Sequence, residues 1–133
     1  MWRSRPLLFV LAGLLAAPAL AGADEPALAP SIAPKELQAR LQSTAAPVVI
    51  DVRSPAEYAT GHIPGAVNIP FDRVAERISE IDAPHGVALY CMVGPRARKG
   101  ESALLAAGYS SVLHVEGGLL AWQESDLPVE RGP

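Results

Sequence analysis

The 133-residue sequence predicts one α/β domain, a parallel sheet of four to five strands with helices on both faces. Three observations predict it. Segments that read as strand and as helix alternate along the chain, an order that implies parallel strands joined by right-handed crossovers. The clearest strand, Val48-Val49-Ile50-Asp51-Val52, is apolar without alternation, as in a strand buried on both faces. Helix-start residues follow the strands closely, Ser54-Pro55 after one and Gly94-Pro95 after another.

Residues 1–21 stand apart from this pattern. Met1-Trp2-Arg3-Ser4-Arg5 is short and basic, residues 7–20 are apolar, and Ala19-Leu20-Ala21 and Ala21-Gly22-Ala23 both fit a small-x-small cleavage site. This is the pattern of a secretory signal peptide, cleaved after residue 21 or 23. As a membrane anchor the apolar run falls short of the roughly 20 residues that a helical span needs. The expected address is export, with the bacterial periplasm as the compartment and no membrane attachment after cleavage. The mature chain loses two of the 11 Lys and Arg, leaving nine against 14 Asp and Glu, a formal charge of −5. It suffices for one core and not for two. A net acidic chain without a basic run argues against nucleic-acid binding. A single Cys in an oxidising compartment points to a reactive thiol or an intermolecular bridge.

Taken in order, residues 22–31 are rich in Ala and Pro and read as a tether, with Ser31-Ile32 beginning a brief edge strand. Pro34 opens a helix over 35–42, with Leu37 and Leu41 on one face. The strand at 48–52 follows. Ser54 then caps a short helix with Pro55 at its first position and Glu57 three residues after the cap, and Gly61 ends it. His62-Ile63-Pro64-Gly65 is a turn, and residues 66–69 are a strand stopped by Pro70. Phe71, Val74, Ile78 and Ile81 recur at helical spacing and predict a helix over 71–81. A turn-rich loop leads to the strand at 87–90, the loop that begins at Cys91, and a helix over 97–107 capped by Gly108. Residues 112–115 are the last strand, and Gly117-Gly118 opens a short helix containing Leu120 and Trp122. The domain spans 32–129, and 130–133 read as a tail. There is no phosphate-loop motif, dinucleotide fingerprint or paired-Cys metal site.

Candidate chemistry converges on Tyr90-Cys91-Met92-Val93-Gly94-Pro95-Arg96. The only Cys sits where a buried strand ends and a helix begins. The first N–H groups of a helix lack internal partners, and the helix dipole adds positive charge there. Thiols in such positions lose their proton more readily, and the thiolate is the nucleophile. Gly94 permits a tight turn, Pro95 suits the first helical position, and Arg96 brings a permanent cation. The competing reading is that a lone Cys after an apolar strand is a small buried hydrophobe. In open parallel sheets ligands bind beyond the carboxyl ends of the strands, which puts Asp51, Cys91 and the residues after Val115 at one edge. Asp51 and Arg53 are read as supporting residues, either electrostatic or in a structural network that pairs Arg53 with Glu57 one helical turn on.

Three motifs carry a family resemblance. Asp51-Val52-Arg53-Ser54-Pro55-Ala56-Glu57-Tyr58, followed by Gly61-His62-Ile63-Pro64-Gly65-Ala66-Val67-Asn68-Ile69-Pro70, resembles the N-terminal signature of the rhodanese (sulfurtransferase) family. The loop from Cys91 to Arg96 resembles its active-site loop, and Glu116-Gly117-Gly118-Leu119-Leu120-Ala121-Trp122 its closing signature. With its leader the chain is similar to the small exported single-domain rhodaneses of bacteria, including the phage-shock type. The resemblance implies a rhodanese-like sheet and a sulfurtransferase. Cys91 would attack the outer sulfur of a donor such as thiosulfate, hold it as a persulfide, and pass it to cyanide or a thiol. The loop through Met92, Val93, Gly94, Pro95 and Arg96 would form a backbone nest around that sulfur. No metal or organic cofactor is implied. Without a second Cys the acceptor comes from outside; a monomer is expected, with a protein partner left open.

Related phosphatases and arsenate reductases on this fold carry five residues between Cys and Arg, which makes room for a tetrahedral oxyanion. The four residues here, 92–95, suit a single sulfur and rank sulfur transfer above phosphoryl transfer. The loop also departs from the family. Many thiosulfate-using members have a cation after the Cys and then Ser, where this chain has Met92 and Val93. The rim is therefore more apolar, attraction for an anionic donor falls to Arg96 with Arg98 and Lys99 behind it, and a less charged persulfide donor or a protein thiol fits as well as thiosulfate. The alternatives are a sulfur-carrying or partner-docking module without turnover, and a redox sensor built on an exposed thiol. Among the remaining candidates, His62 is expected to be a structural donor in its turn, Trp122 to be core and Tyr90 to pack beneath the loop, while His114, at the end of the last strand near the site, is a lesser candidate for tuning Cys91.

Overall fold

The β-branched and apolar runs form five parallel strands in one sheet: β1 (Ser31–Ile32), β2 (Val48–Asp51), β3 (Val67–Asn68), β4 (Val87–Tyr90) and β5 (Val112–Val115), in the order β1-β5-β4-β2-β3. This is a computed structural model that describes residues 27–133 together with Gly13, Ala16 and Ala17. Most of the expected leader, and the tether up to residue 26, lie outside the described residues.

Val49, Ala88, Tyr90 and Val115 point to one face of the sheet, where they bury with Leu37 of helix α1 (Pro34–Leu41) and with Leu119 and Trp122 of helix α5 (Gly118–Glu124). Ile50, Val87, Leu89 and Val112 point to the other face. There they meet Val74 of helix α3 (Val74–Arg77) and Ala97 and Leu104 of helix α4 (Pro95–Ala106). The alternate residues of β4 thus feed two cores, and every residue of that strand is buried. This is the reason its sequence shows no polar alternation.

Helix α2 (Pro55–Thr60) starts as its residues demand. The Ser54 hydroxyl accepts the Glu57 N–H at 3.2 Å, Glu57 reaches back to the Ser54 N–H, and Pro55 is the first helical residue. The expected helix over 71–81 is shorter than its periodicity suggests. It becomes α3 and a single 3-10 turn, Ile78–Glu80. The reason lies at its start: the Phe71 N–H is held by the Val52 carbonyl at 3.0 Å, so Phe71 still belongs to the chain leaving the sheet edge. Helix α4 begins at Pro95, the residue suited to the first helical position, two residues before the run read as helix.

Both ends of the domain reach further than their composition suggests. Ala29 is buried, and the Pro30 carbonyl accepts the His114 N–H at 2.8 Å. The residues read as a tail are tied down: Glu130 and His62 exchange backbone hydrogen bonds of 2.8 and 2.9 Å, and the Gly132 N–H reaches Ala59.

The strand order reverses between β4, the central strand, and β2 beside it. An open parallel sheet has its crevice at such a point, beyond the carboxyl ends. Asp51 ends β2 there, and Cys91 directly follows β4.

Candidate active site

Cys91 leaves β4 as a free thiol that is only 1% exposed. The Gly94 N–H donates to its Sγ at 3.0 Å. Pro95 has no N–H to give. Among the described residues, the N–H groups of Met92, Val93, Arg96 and Ala97 have no protein acceptor. Consecutive N–H groups left open beside a thiol are the kind of arrangement that can bind an anion. Met92, Val93, Gly94, Pro95 and Arg96 lie together in the turn from β4 into α4.

The loop carbonyls face the other way, and α5 holds them. The Leu119 N–H donates to the Cys91 carbonyl at 2.9 Å, and the Leu120 N–H to the Met92 carbonyl at 3.1 Å. A side chain on Gly118, which sits at φ +62°, would come within 2.6 Å of both carbonyls. Glycine is required for this approach. The closing signature thus clamps the loop, a role that its position after Val115 only hinted at.

Asp51 and Arg53 form a buried pair beside the loop. The Arg53 Nη2 donates to Asp51 Oδ2 at 2.7 Å and to the Gly61 carbonyl at 2.7 Å, and its Nε lies 3.0 Å from Asp51 Oδ1. The pairing of Arg53 with Glu57 does not form. Asp51 lies two residues away on the same exit from β2, and Glu57 is turned toward the loop by its capping box. Asn68 completes the support, its amide donating to the Asp51 and Arg53 carbonyls at 3.0 and 2.9 Å. This role was not read from the sequence, although Asn68 lies within a motif that was. Burial is the largest single influence and works against the Arg53 charge, but the hydrogen bond to Asp51 and the attraction of Asp51 and the other acidic groups nearby together outweigh it, and the guanidinium pKa is raised.

Arg96 is not the free cation expected of it. Its Nη1 and Nη2 donate to Glu57 Oε1 and Oε2 at 2.7 and 3.0 Å, a forked pair that is about one-third exposed. The hydrogen bond from Arg96 holds the Glu57 carboxyl down at about 2. Arg98 is also engaged, with the Ala29 carbonyl at 2.8 Å and Glu101 at 3.2 Å, and Lys99 lies over the Phe71 ring. Attraction for an anionic donor therefore does not rest on three open cations. The apolar rim is present: Met92 is 37% and Val93 53% exposed, with Leu120 alongside at 44%.

His114 lies under the loop, its ring 3.8 Å from the place a Gly94 side chain would occupy. Its Nδ1 meets Glu101 Oε2 at 2.7 Å, and burial pushes the Glu101 carboxyl up despite that contact. His62 is structural, stacked on Tyr58 with its Nδ1 2.9 Å from the Tyr58 carbonyl. Tyr90 packs on the α1 and α5 face, and its hydroxyl accepts the Ile63 N–H at 3.0 Å. Trp122 is core, with its indole N–H on the Pro128 carbonyl at 2.8 Å. Among the described residues no cluster of three or more His, Cys, Asp or Glu is arranged to hold a metal ion.

Residues 33–125 match the family described as Rhodanese-like domain. The chain belongs to the rhodanese family. A protein of Allochromatium vinosum named sulfurtransferase is 37% identical over 71% of this rhodanese chain and 89% of its own length. Other curated relatives are larger, and the match spans 54% of one from Synechocystis and 26% of a probable adenylyltransferase/sulfurtransferase from Mycobacterium tuberculosis. Among solved structures, a thiosulfate sulfurtransferase of Pseudomonas aeruginosa superposes with a TM-score of 0.72 at 31% identity, covering 79% of this chain and 21% of that one. A Rhodopseudomonas palustris protein described as a possible tyrosine phosphatase superposes with a TM-score of 0.64 at 25% identity, covering 77% and 85%.

Proposed function

We propose that this protein is a sulfurtransferase that moves a sulfane sulfur through a Cys91 persulfide. The observation that carries the reading is a thiol at the end of the central strand with the Gly94 N–H on its sulfur, inside a loop whose remaining N–H groups are open. Relatives and neighbours named as sulfurtransferases support it.

In the first half-reaction the Cys91 thiolate attacks the outer sulfur of the donor. A bond forms between the two sulfurs, the donor's own S–S bond breaks, and its electron pair leaves on sulfite (from thiosulfate) or on a thiolate (from a persulfide). The open N–H groups would stabilise the negative charge on the terminal sulfur. In the second half-reaction a nucleophile, cyanide or a thiol, attacks that sulfur, and the electron pair returns to Cys91. The four-residue spacing from Cys91 to Arg96 favours a single sulfur over a phosphoryl group. Export is part of the proposal and rests on the basic, apolar and small-residue order of residues 1–23. Protein recovered from the periplasm should begin at residue 22 or 24, and an uncut chain in the cytoplasm would contradict it.

The test is release of thiocyanate from cyanide with thiosulfate or a small organic persulfide as donor. Wild type should turn over at least one donor, and Cys91→Ser neither. Turnover by Cys91→Ser would overturn the assignment. Persulfide formation without turnover would turn the reading into a sulfur carrier.

A further inference from the structure

We propose that Glu57 is a specificity-determining residue: its carboxylate occupies the guanidinium fork of Arg96 and so turns the Cys91 loop away from dianionic donors, toward persulfides of lower charge. The inference rests on the sulfur-transfer reading of the same loop. Arg96 belongs to that loop, and its charge is coupled to Glu57 first and to Cys91 after it. A guanidinium offers planar paired donors that match a carboxylate or an oxyanion edge. Here both terminal nitrogens are already taken, at 2.7 and 3.0 Å. Glu57 is not a loose surface partner. The Ser54 hydroxyl donates to Glu57 Oε1 at 3.2 Å and the Ser54 N–H lies within 3.5 Å of it, so the helix cap aims the carboxylate at the loop. An anion approaching Cys91 must displace that carboxylate or remain beside it.

The other charges do not compensate. Arg53 is consumed by Asp51, and Arg98 by Glu101 and the Ala29 carbonyl. The open surface near Cys91 is Met92, Val93 and Leu120. Thiosulfate is a dianion with a strongly hydrated sulfonate end. A persulfide carries one charge at the reacting sulfur and can bring an apolar body to this rim. Dehydrating the dianion beside an apolar rim and a neutralised cation is the less favourable of the two.

The test compares wild type with Glu57→Gln, which keeps a cap acceptor for Ser54 and loses the charge. Glu57→Gln should lower the thiosulfate KM by about three- to tenfold with kcat little changed, as removal of one near charge at a partly exposed site allows. The KM for a small uncharged-body persulfide should move less than twofold. Glu76→Gln, an equal charge change at an exposed pair with Arg73, should leave both unchanged. An unchanged or raised thiosulfate KM in Glu57→Gln, or an equal fall in Glu76→Gln, would overturn the proposal. Two readouts do not depend on sulfur transfer, and the second, made on wild type, does not depend on a variant folding. The ratio of Cys91 alkylation by iodoacetate to that by iodoacetamide should rise in Glu57→Gln and fall back when Arg96→Gln is added; a ratio that does not move contradicts the role of Glu57 even if the protein proves not to be a sulfurtransferase. In wild type the same ratio should hardly change between about 20 and 300 mM salt, whereas a steep fall would reveal an unpaired cation and overturn the inference.

Discussion

At Met92 an apolar side chain, 37% exposed, directly follows the proposed nucleophile. Among the described residues Arg96, Arg98 and Arg53 do not replace the missing cation, because each is already paired. Met92→Arg should lower the thiosulfate KM several-fold by adding an unpaired guanidinium at the rim; steady-state kinetics check it, and an unchanged or raised KM counts against it. Glu101 shows the opposite case, a charged residue within α4 that is buried. Its carboxylate meets His114 at 2.7 Å and Arg98 at 3.2 Å. Glu101→Ala should cost about 3–5 kcal/mol in denaturant unfolding, since it leaves two polar groups without their shared acceptor; a loss under about 1 kcal/mol would show that the cluster is dispensable. Cys91 was legible in the sequence because strand end, glycine, proline and helix start are all local signals. The pairing of Glu101 with His114 and that of Arg96 were not. They are chosen by tertiary neighbours, 13 residues apart for Glu101 and His114 and 39 for Arg96 and Glu57.

Strands and capped helices declare themselves through short-range chemistry, and β2, β4 and α2 follow it closely. The segment at 71–81 fails for a tertiary reason, the hold of the Val52 carbonyl on Phe71, which no periodicity reports. The loop and α5 depend on one close approach. Gly118→Ala would drive a methyl toward the Cys91 and Met92 carbonyls and demand a positive φ from a side-chain-bearing residue. Persulfide formation should slow about 100-fold, as expected for a reacting group displaced by about 1 Å. Unfolding should show a smaller effect, about 1–3 kcal/mol. A variant with wild-type rates would mean that the clamp does not set the loop.

The molecule as a whole is held at its active edge by a pair that joins α2 to α4. The Glu57 carboxyl lies at about 2 against an ordinary 4.5, first because of its hydrogen bond from Arg96. A carboxyl lowered by folding contributes stability that is complete above its unfolded value and is lost as pH falls through the folded one. The window is therefore from about pH 5 down to about pH 2. The pair is about one-third exposed, so its contribution is about 1 kcal/mol at most. The stability difference between wild type and Glu57→Gln should be present at pH 6 and vanish near pH 2; a constant difference across the range would place the effect elsewhere than in the charge.

The most direct measurement is intact mass of the purified protein before and after exposure to thiosulfate and to a small organic persulfide, with Cys91→Ser alongside. Wild type should gain one sulfur, about 32 Da, that cyanide removes, and it should gain it more readily from the persulfide; Cys91→Ser should gain nothing. A wild type that gains no sulfur from either donor, or a Cys91→Ser variant that gains as much, would contradict the account.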